Sequence, residues 1–162
     1  REWPYKNVKP RIIAEKLMVD ESGTELKDYK ILCFNGDPKL IQMHSGRFST
    51  VHTQDYYDTE WNRLEILQGC PMAEKAWDKP EFLKEMLELS KKLSEGIPHV
   101  RVDWYYVDNH LYFGELTFYH WSGFIKFEPE KYKDEYQNKI KDAIEKKIDG
   151  KEIKKSKSKV KK

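Results

Sequence analysis

Two runs between Val100 and Tyr119 constrain the fold most. VRVDWYYV (100–107) and LYFGELTFY (111–119) are dense in β-branched and aromatic residues, with only Asp108-Asn109-His110 between them. Side chains of this kind suit a pleated, half-buried surface, so the two runs predict an antiparallel hairpin. Alternate residues of a strand share a face. Arg101, Asp103 and Tyr105 therefore fall on one side of the first strand, and Glu115 and Thr117 together on one side of the second. Glu115 lies inside an otherwise apolar run, where an unpaired charge is costly.

Whether the two acidic sets meet depends on the turn. A two-residue turn at Asp108-Asn109 pairs residues whose numbers sum to 217, so Asp103 opposes Gly114 and Glu115 points away. A three-residue loop that includes His110, or an equivalent bulge, gives a sum of 218 and sets Asp103 opposite Glu115. Their Cβ atoms would then be roughly 5 Å apart. Carboxylates that close repel unless a cation lies between them or one takes a proton. Hard oxygens on a rigid sheet suit Mg²⁺, which keeps waters and uses phosphate oxygens for its other positions. Asp103, Glu115 and Thr117 are thus candidate metal ligands, with Arg101 placed to neutralise phosphate. An ordinary ion pair between Arg101 and Glu115 is the competing reading.

The rest of the chain predicts an α+β fold, an antiparallel sheet with helices packed on one face. Strands are expected over RIIAEKL (11–17), DYKILCF (28–34) and KLIQM (39–43). The last two are joined by Asn35-Gly36, residues that accept the positive φ of a tight turn. Asp20 to Thr24 reads as a loop, and 44–79 as irregular and aromatic-rich. A helix is expected after Asp78, with Asp78 and Glu81 as a capping box, Phe82, Leu83, Met86, Leu87, Ser90 and Leu93 on one face, and Gly96 closing it. Pro129 opens a second amphipathic helix with Tyr132, Tyr136, Ile140, Ala143 or Ile144, and Ile148 near its apolar side. Arg47, after the third strand, is a candidate phosphate or acyl-phosphate contact. Lys30 and Lys39 read as strand-edge charges, and Trp61, Trp77, Trp104 and Trp121 as core residues before sugar platforms.

Charge divides the chain. The net value of +2 hides a tail from Gly150 with seven Lys and one Glu, which leaves 23 basic against 27 acidic residues before it. The expected organisation is one domain over 1–149 and a solvated, disordered tail over 150–162, with at most a weak electrostatic contact to a membrane surface or nucleic acid. No apolar run is long enough for a membrane helix. Cys33 and Cys70 have no metal or redox spacing, the five histidines make no zinc-ligand spacing, and no local context supports Cys-His nucleophilic catalysis. A reduced, cytoplasmic protein is the simplest expectation.

VRVDWYYVDNHLYFGELTFYHWSG (100–123) resembles the last hairpin of ATP-grasp ligases, where Arg-x-Asp is followed by Glu-x-Asn. RIIAEKL with KDYKILCF is similar to the hinge of that fold. DYKILCFNGDPKLIQ, Arg47-Phe48, Tyr57-Asp58 with Trp61, and GELTFY look like the TupA-like subgroup, associated with teichuronopeptide and surface-polysaccharide loci. The resemblance implies ATP and Mg²⁺ as cofactors, with the Asp103, Glu115 and Thr117 positions on the metal. It also places Glu15 and the backbone near Leu17 against adenine, and Asp28 near the ribose or phosphates. Thr117 stands where Asn is usual, and Tyr119 to Gly123 lacks the usual Pro. The phosphate-binding lysines and glycine-rich flap of that fold precede the hinge, and no Gly-rich phosphate loop occurs here, so the chain reads as the C-terminal portion of a site. Alone it is expected to bind Mg-ATP weakly and to catalyse nothing.

The implied full enzyme activates a carboxylate as an acyl phosphate, which an amine or other nucleophile attacks. Its partners would be a nucleotide and a carboxylate or polysaccharide precursor. Two rivals stand beside it: a sugar-nucleotide glycosyltransferase, against which the lack of an Asp-x-Asp motif counts, and a non-catalytic binding domain.

Overall fold

A computed structural model describes residues 7–20, 26–46, 52–124, 126–143 and 145. Arg47 and Phe48, Ile144 and Ile148, most of the Asp20 to Thr24 loop and the Lys-rich tail lie outside the described residues. The elements are β1 (Asp28–Phe34), β2 (Asp37–Ser45), β3 (Thr53–Tyr57), β4 (Arg63–Leu64), α1 (Leu83–Ser94), β5 (His99–Val107) and β6 (His110–Thr117). A 3₁₀ turn, His120–Gly123, and a helical segment over 131–143, here α2, follow. Lys133–Gln137 within α2 is π-helical.

The six strands form one antiparallel sheet in the order β4-β3-β2-β1-β5-β6. The chain meanders away from β1 through β2 and β3 to β4. It then crosses by α1 to place β5 on the other side of β1. This is the expected α+β class with an antiparallel sheet, although the two helices lie on opposite faces of it. α1 covers the face that carries Tyr29, Ile31 and Cys33 of β1, with Ile41, Met43, Val102 and Trp104 beside them. The next residues along β1, Leu32 and Phe34, point to the opposite face and pack with Tyr56, Ile66, Phe127, Tyr136 and Ile140. α2 supplies the last two of these, so it closes the second face at one end.

Both hairpins turn on two residues with positive φ: Asn35 (52°) with Gly36 (79°), and Asp108 (50°) with Asn109 (60°). In each, the twist of such a turn matches the twist of the strands it joins. Gly36 is further confined, since a Cβ there would meet the end of α1 at Glu95 Cα, 3.4 Å away.

Three expectations are corrected. Residues 11–17 form no strand. The chain runs there without regular structure, Ile12 is fully exposed, and no other strand pairs with it among the described residues. The region 44–79 is not irregular throughout, because β3 and β4 form inside it. TQDYY hides as a strand because its polar residues are satisfied by side chains: Asp55 pairs with Arg63, and Gln54 donates to the Tyr56 hydroxyl at 2.6 Å. The capping box does not form. α1 starts after Phe82, four residues beyond Asp78, and no side chain caps it. Its inward face is otherwise as expected, with Leu83, Met86 and Ser90 buried and Gly96 in the left-handed region after it. Ser90 is tolerated there because the Trp104 indole donates to its hydroxyl at 2.8 Å.

Candidate functional site

The face of the sheet that α2 leaves open carries a row of charges. Asp28 and Lys30 share a face of β1, Lys30 lies opposite Asp103 on β5, and Arg101 lies opposite Thr117 on β6. The turn has two residues, so near it the ladder sums to 217: Val107 faces His110 and Trp104 faces Phe113. Beyond Asp103 the sum is 218, with Val102 facing Leu116. The extra residue is a bulge on β6 at Gly114. Phe113 thus faces Trp104 on the α1 side, while Glu115 has turned to the charged side. Glu115 and Asp103 meet through the bulge, not through a three-residue loop.

The bridge between them is Arg101. Its Nε donates to Asp103 Oδ1 at 2.6 Å, and its Nη2 to Asp103 Oδ2 at 2.7 Å and to Glu115 Oε1 at 2.8 Å. Thr117 also donates to Glu115 Oε1, at 2.9 Å. Lys30 Nζ contacts Asp103 Oδ2 at 2.6 Å and Asp28 Oδ2 at 2.5 Å. The Lys30 and Asp103 side chains are only 6 % and 2 % exposed, whereas that of Glu115 is 65 % exposed. Three carboxylates and two cations therefore alternate across three strands, buried at the Asp28 end and open at the Glu115 end. Burial costs Arg101 solvation, but its bonds to Asp103 and the negative charges of Asp103, Glu115 and Asp28 together outweigh that and hold its pKa above the ordinary value.

The donor chemistry suits a magnesium–phosphate ligand better than a bare ion. Among the described residues no group of three or more His, Cys, Asp or Glu is arranged to hold a metal. Both oxygens of Asp103 are engaged by Arg101 and Lys30. Glu115 and Thr117 are the oxygens that solvent reaches. Glu115 and Thr117 could hold Mg²⁺ only with phosphate and water in its other positions, and Arg101 is the cation beside them.

Of the other sequence-predicted site residues, Asp28 joins the row, Glu15 and Leu17 lie exposed on the irregular 9–20 segment outside the sheet, and Arg47 is outside the described residues. Lys39 is an exposed strand charge beside Asp37, as expected. Lys30 is not: it sits in the middle of the sheet. Its two-residue spacing from Asp28, which puts both on one face of β1, is the local signal. Trp61 and Trp104 are core, and Trp121 is exposed.

His120 is a second residue that sequence reasoning missed. It is fully buried, and its Nδ1 accepts from Arg101 Nη1 at 3.2 Å. An arginine only donates, so Nδ1 carries the lone pair and Nε2 the proton. Burial, and then the Arg101 charge, push its pKa well below 6.5. At neutral pH both folded and unfolded His120 are uncharged. Below 6.5 the unfolded chain takes up a proton that the folded one refuses, so stability falls with pH. His120→Asn cannot take up that proton. In urea unfolding it is expected to lose less stability than the parent chain between pH 7.5 and 5.

A separate groove of about 1130 Å³, lined by Trp77, Phe82, Tyr106 and Asn109 among others, shares no residue with the row. No described helix is long and apolar enough to cross a membrane.

A family model described as TupA-like ATPgrasp matches residues 1–141. No curated protein and no solved structure matches the chain.

Proposed function

The chain belongs to the TupA-like ATP-grasp family, and on that premise we propose that it is the nucleotide-phosphate and magnesium-binding lobe of an ATP-dependent carboxylate ligase. The carrying observation is the row Asp28–Lys30–Asp103–Arg101–Glu115 on one open face of the sheet. Lys30 and Arg101 are held in place by Asp103, so their charge is fixed in position before a ligand arrives. Preorganised cations of this kind favour a transferring phosphoryl group without reorganising at the moment of reaction. Magnesium, when bound, supplies further neutralisation of phosphate charge; Asp103, Glu115 and Thr117 would hold it.

The reaction class that follows is transfer of the γ-phosphoryl group to a carboxylate, then attack by a nucleophile on the acyl phosphate, with release of ADP and phosphate. A uronic-acid, amino-acid or sugar-derived group of a surface-polymer precursor is the acceptor we propose, by analogy with the family. Asp28 would lie toward the nucleotide, and Glu15 and Leu17 toward adenine.

Titration calorimetry tests the reading. Mg-ADP and Mg-ATP are expected to bind, Mg-UDP and MgCl₂ alone are not. Arg101→Ala is expected to weaken Mg-ADP about 10- to 100-fold, the worth of a charge-assisted hydrogen bond or two. Preference for Mg-UDP would favour a sugar-nucleotide enzyme instead. No binding of any nucleotide would leave a non-catalytic binding domain.

A further inference from the structure

Folding assembles a second cluster that has no signature in the sequence. Cys70 Sγ lies 3.5 Å from His52 Nδ1, and His52 Nε2 lies 2.9 Å from His44 Nδ1. The three residues come from β2, from the residue before β3 and from the loop after β4, 8 and 18 positions apart. The two rings are 5.2 Å apart at their centroids with planes 25° from parallel. That separation equals the N···N distance plus one ring radius on each side. The nitrogens therefore face each other edge to edge, and the rings do not lie face on face.

Two sets of protons satisfy these contacts, one running from His44 to the sulfur and one the other way; in the second, the Cys70 thiol donates to His52 Nδ1 and the His52 Nε2–H donates to His44 Nδ1. This is the arrangement of an activated nucleophile: a thiol, a base within reach of its proton, and a third group that orients the base. All three side chains are half-buried, so the sulfur is reachable while the imidazoles are held. His44 lies directly opposite Asp28 across the β1–β2 ladder, so a carboxylate stands beside the far end of the relay.

We propose that Cys70 is a nucleophilic thiol, with His52 as its base and His44 as the residue that positions His52, and that it accepts an acyl group from an activated carboxyl derivative. Attack forms a bond between the sulfur and the acyl carbon. The bond from that carbon to the leaving oxygen breaks, and the leaving group departs with the electron pair. The thiol proton passes to His52 Nδ1, and the resulting imidazolium keeps its Nε2–H bond to His44. The product is a thioester on Cys70. The inference does not depend on nucleotide binding.

p-Nitrophenyl acetate is a suitable probe, because attack releases one coloured p-nitrophenolate per thioester. The intact chain is expected to give a burst of one equivalent, with a hydroxylamine-labile acetyl group on Cys70. Cys33 serves as an internal control. It is fully buried, and burial pushes its thiol to about 11, so it should stay unmodified. His52→Ala and His52→Gln, both checked for native tryptophan fluorescence, should slow the burst about tenfold near pH 7. Their rates should recover at alkaline pH, where a thiol ionises without a base. His44→Phe should slow it less. A burst that survives Cys70→Ser, or one whose rate and pH profile are unchanged in both His52 variants, overturns the proposal.

Discussion

Lys30→Met is expected to lower the free energy of unfolding by about 3–5 kcal/mol. The ammonium group sits between Asp28 and Asp103, whose side chains are 4 % and 2 % exposed. Removing it leaves two carboxylates close together and out of water, with Arg101 to compensate only one of them. The magnitude reflects the charge left behind and not the net worth of the pair, which desolvation largely offsets. A pH signature separates this from simple loss of packing. In the variant, one of the two acids is driven to keep its proton, so its folded pKa rises. A raised carboxylate favours the folded state at low pH. The deficit should therefore shrink as pH is lowered toward 4. Lys39→Met is the control. Lys39 pairs with Asp37 at the same distance, but its side chain is 54 % exposed, and such pairs contribute about 0–1 kcal/mol. Urea unfolding followed by tryptophan fluorescence reads both. Equal effects would mean that the buried end of the row is no more than a surface ion pair.

The contrast between the two lysines shows where the sequence is legible and where it is not. Lys30 and Lys39 look alike in sequence, each on a strand and close to an acid. What separates them is pairing: Lys30 is flanked by Gln42 of β2 and Asp103 of β5, while Lys39 lies at the irregularity of the β1–β2 ladder, before β2 meets β3 at Ile41. Strand order depends on the crossing through α1, which no local pattern states. β1, β5 and β6 are readable from their β-branched and aromatic residues, and β2 from the Asn35-Gly36 turn that leads into it. β3 was not, because TQDYY buries Gln54 and Asp55 against partners that are distant in sequence. The 11–17 run erred the other way. Its apolar residues fit a strand, but pattern alone supplies no neighbour. The same limit hid His120 and the Cys70–His52–His44 relay: a histidine's role is set by what folding brings to each ring nitrogen.

Gly114→Val should be destabilising by about 1–3 kcal/mol, although valine is the better strand residue by propensity. A Cβ at this position would lie 3.0 Å from Tyr105 Cε2 and 3.1 Å from the Asp103 carbonyl oxygen. The aromatic ring can swing aside, but the carbonyl is backbone and belongs to the strand that carries Arg101 and Asp103. Relief therefore requires the bulge to move, and the bulge is what turns Glu115 toward Arg101. Deleting Gly114 provides the decisive comparison. Without it the two-residue turn would continue into an unbroken ladder, with Trp104 still opposite Phe113, Val102 opposite Leu116 and Asp103 opposite Glu115. The deletion should thus keep the Arg101–Glu115 pair, and with it Mg-ADP binding, at a smaller stability cost than the substitution. Gly114→Val should weaken Mg-ADP about tenfold through loss of Glu115 from the row. If the substitution binds Mg-ADP as the parent chain does and the deletion abolishes binding, the bulge holds something other than Glu115, and the row is not the nucleotide site.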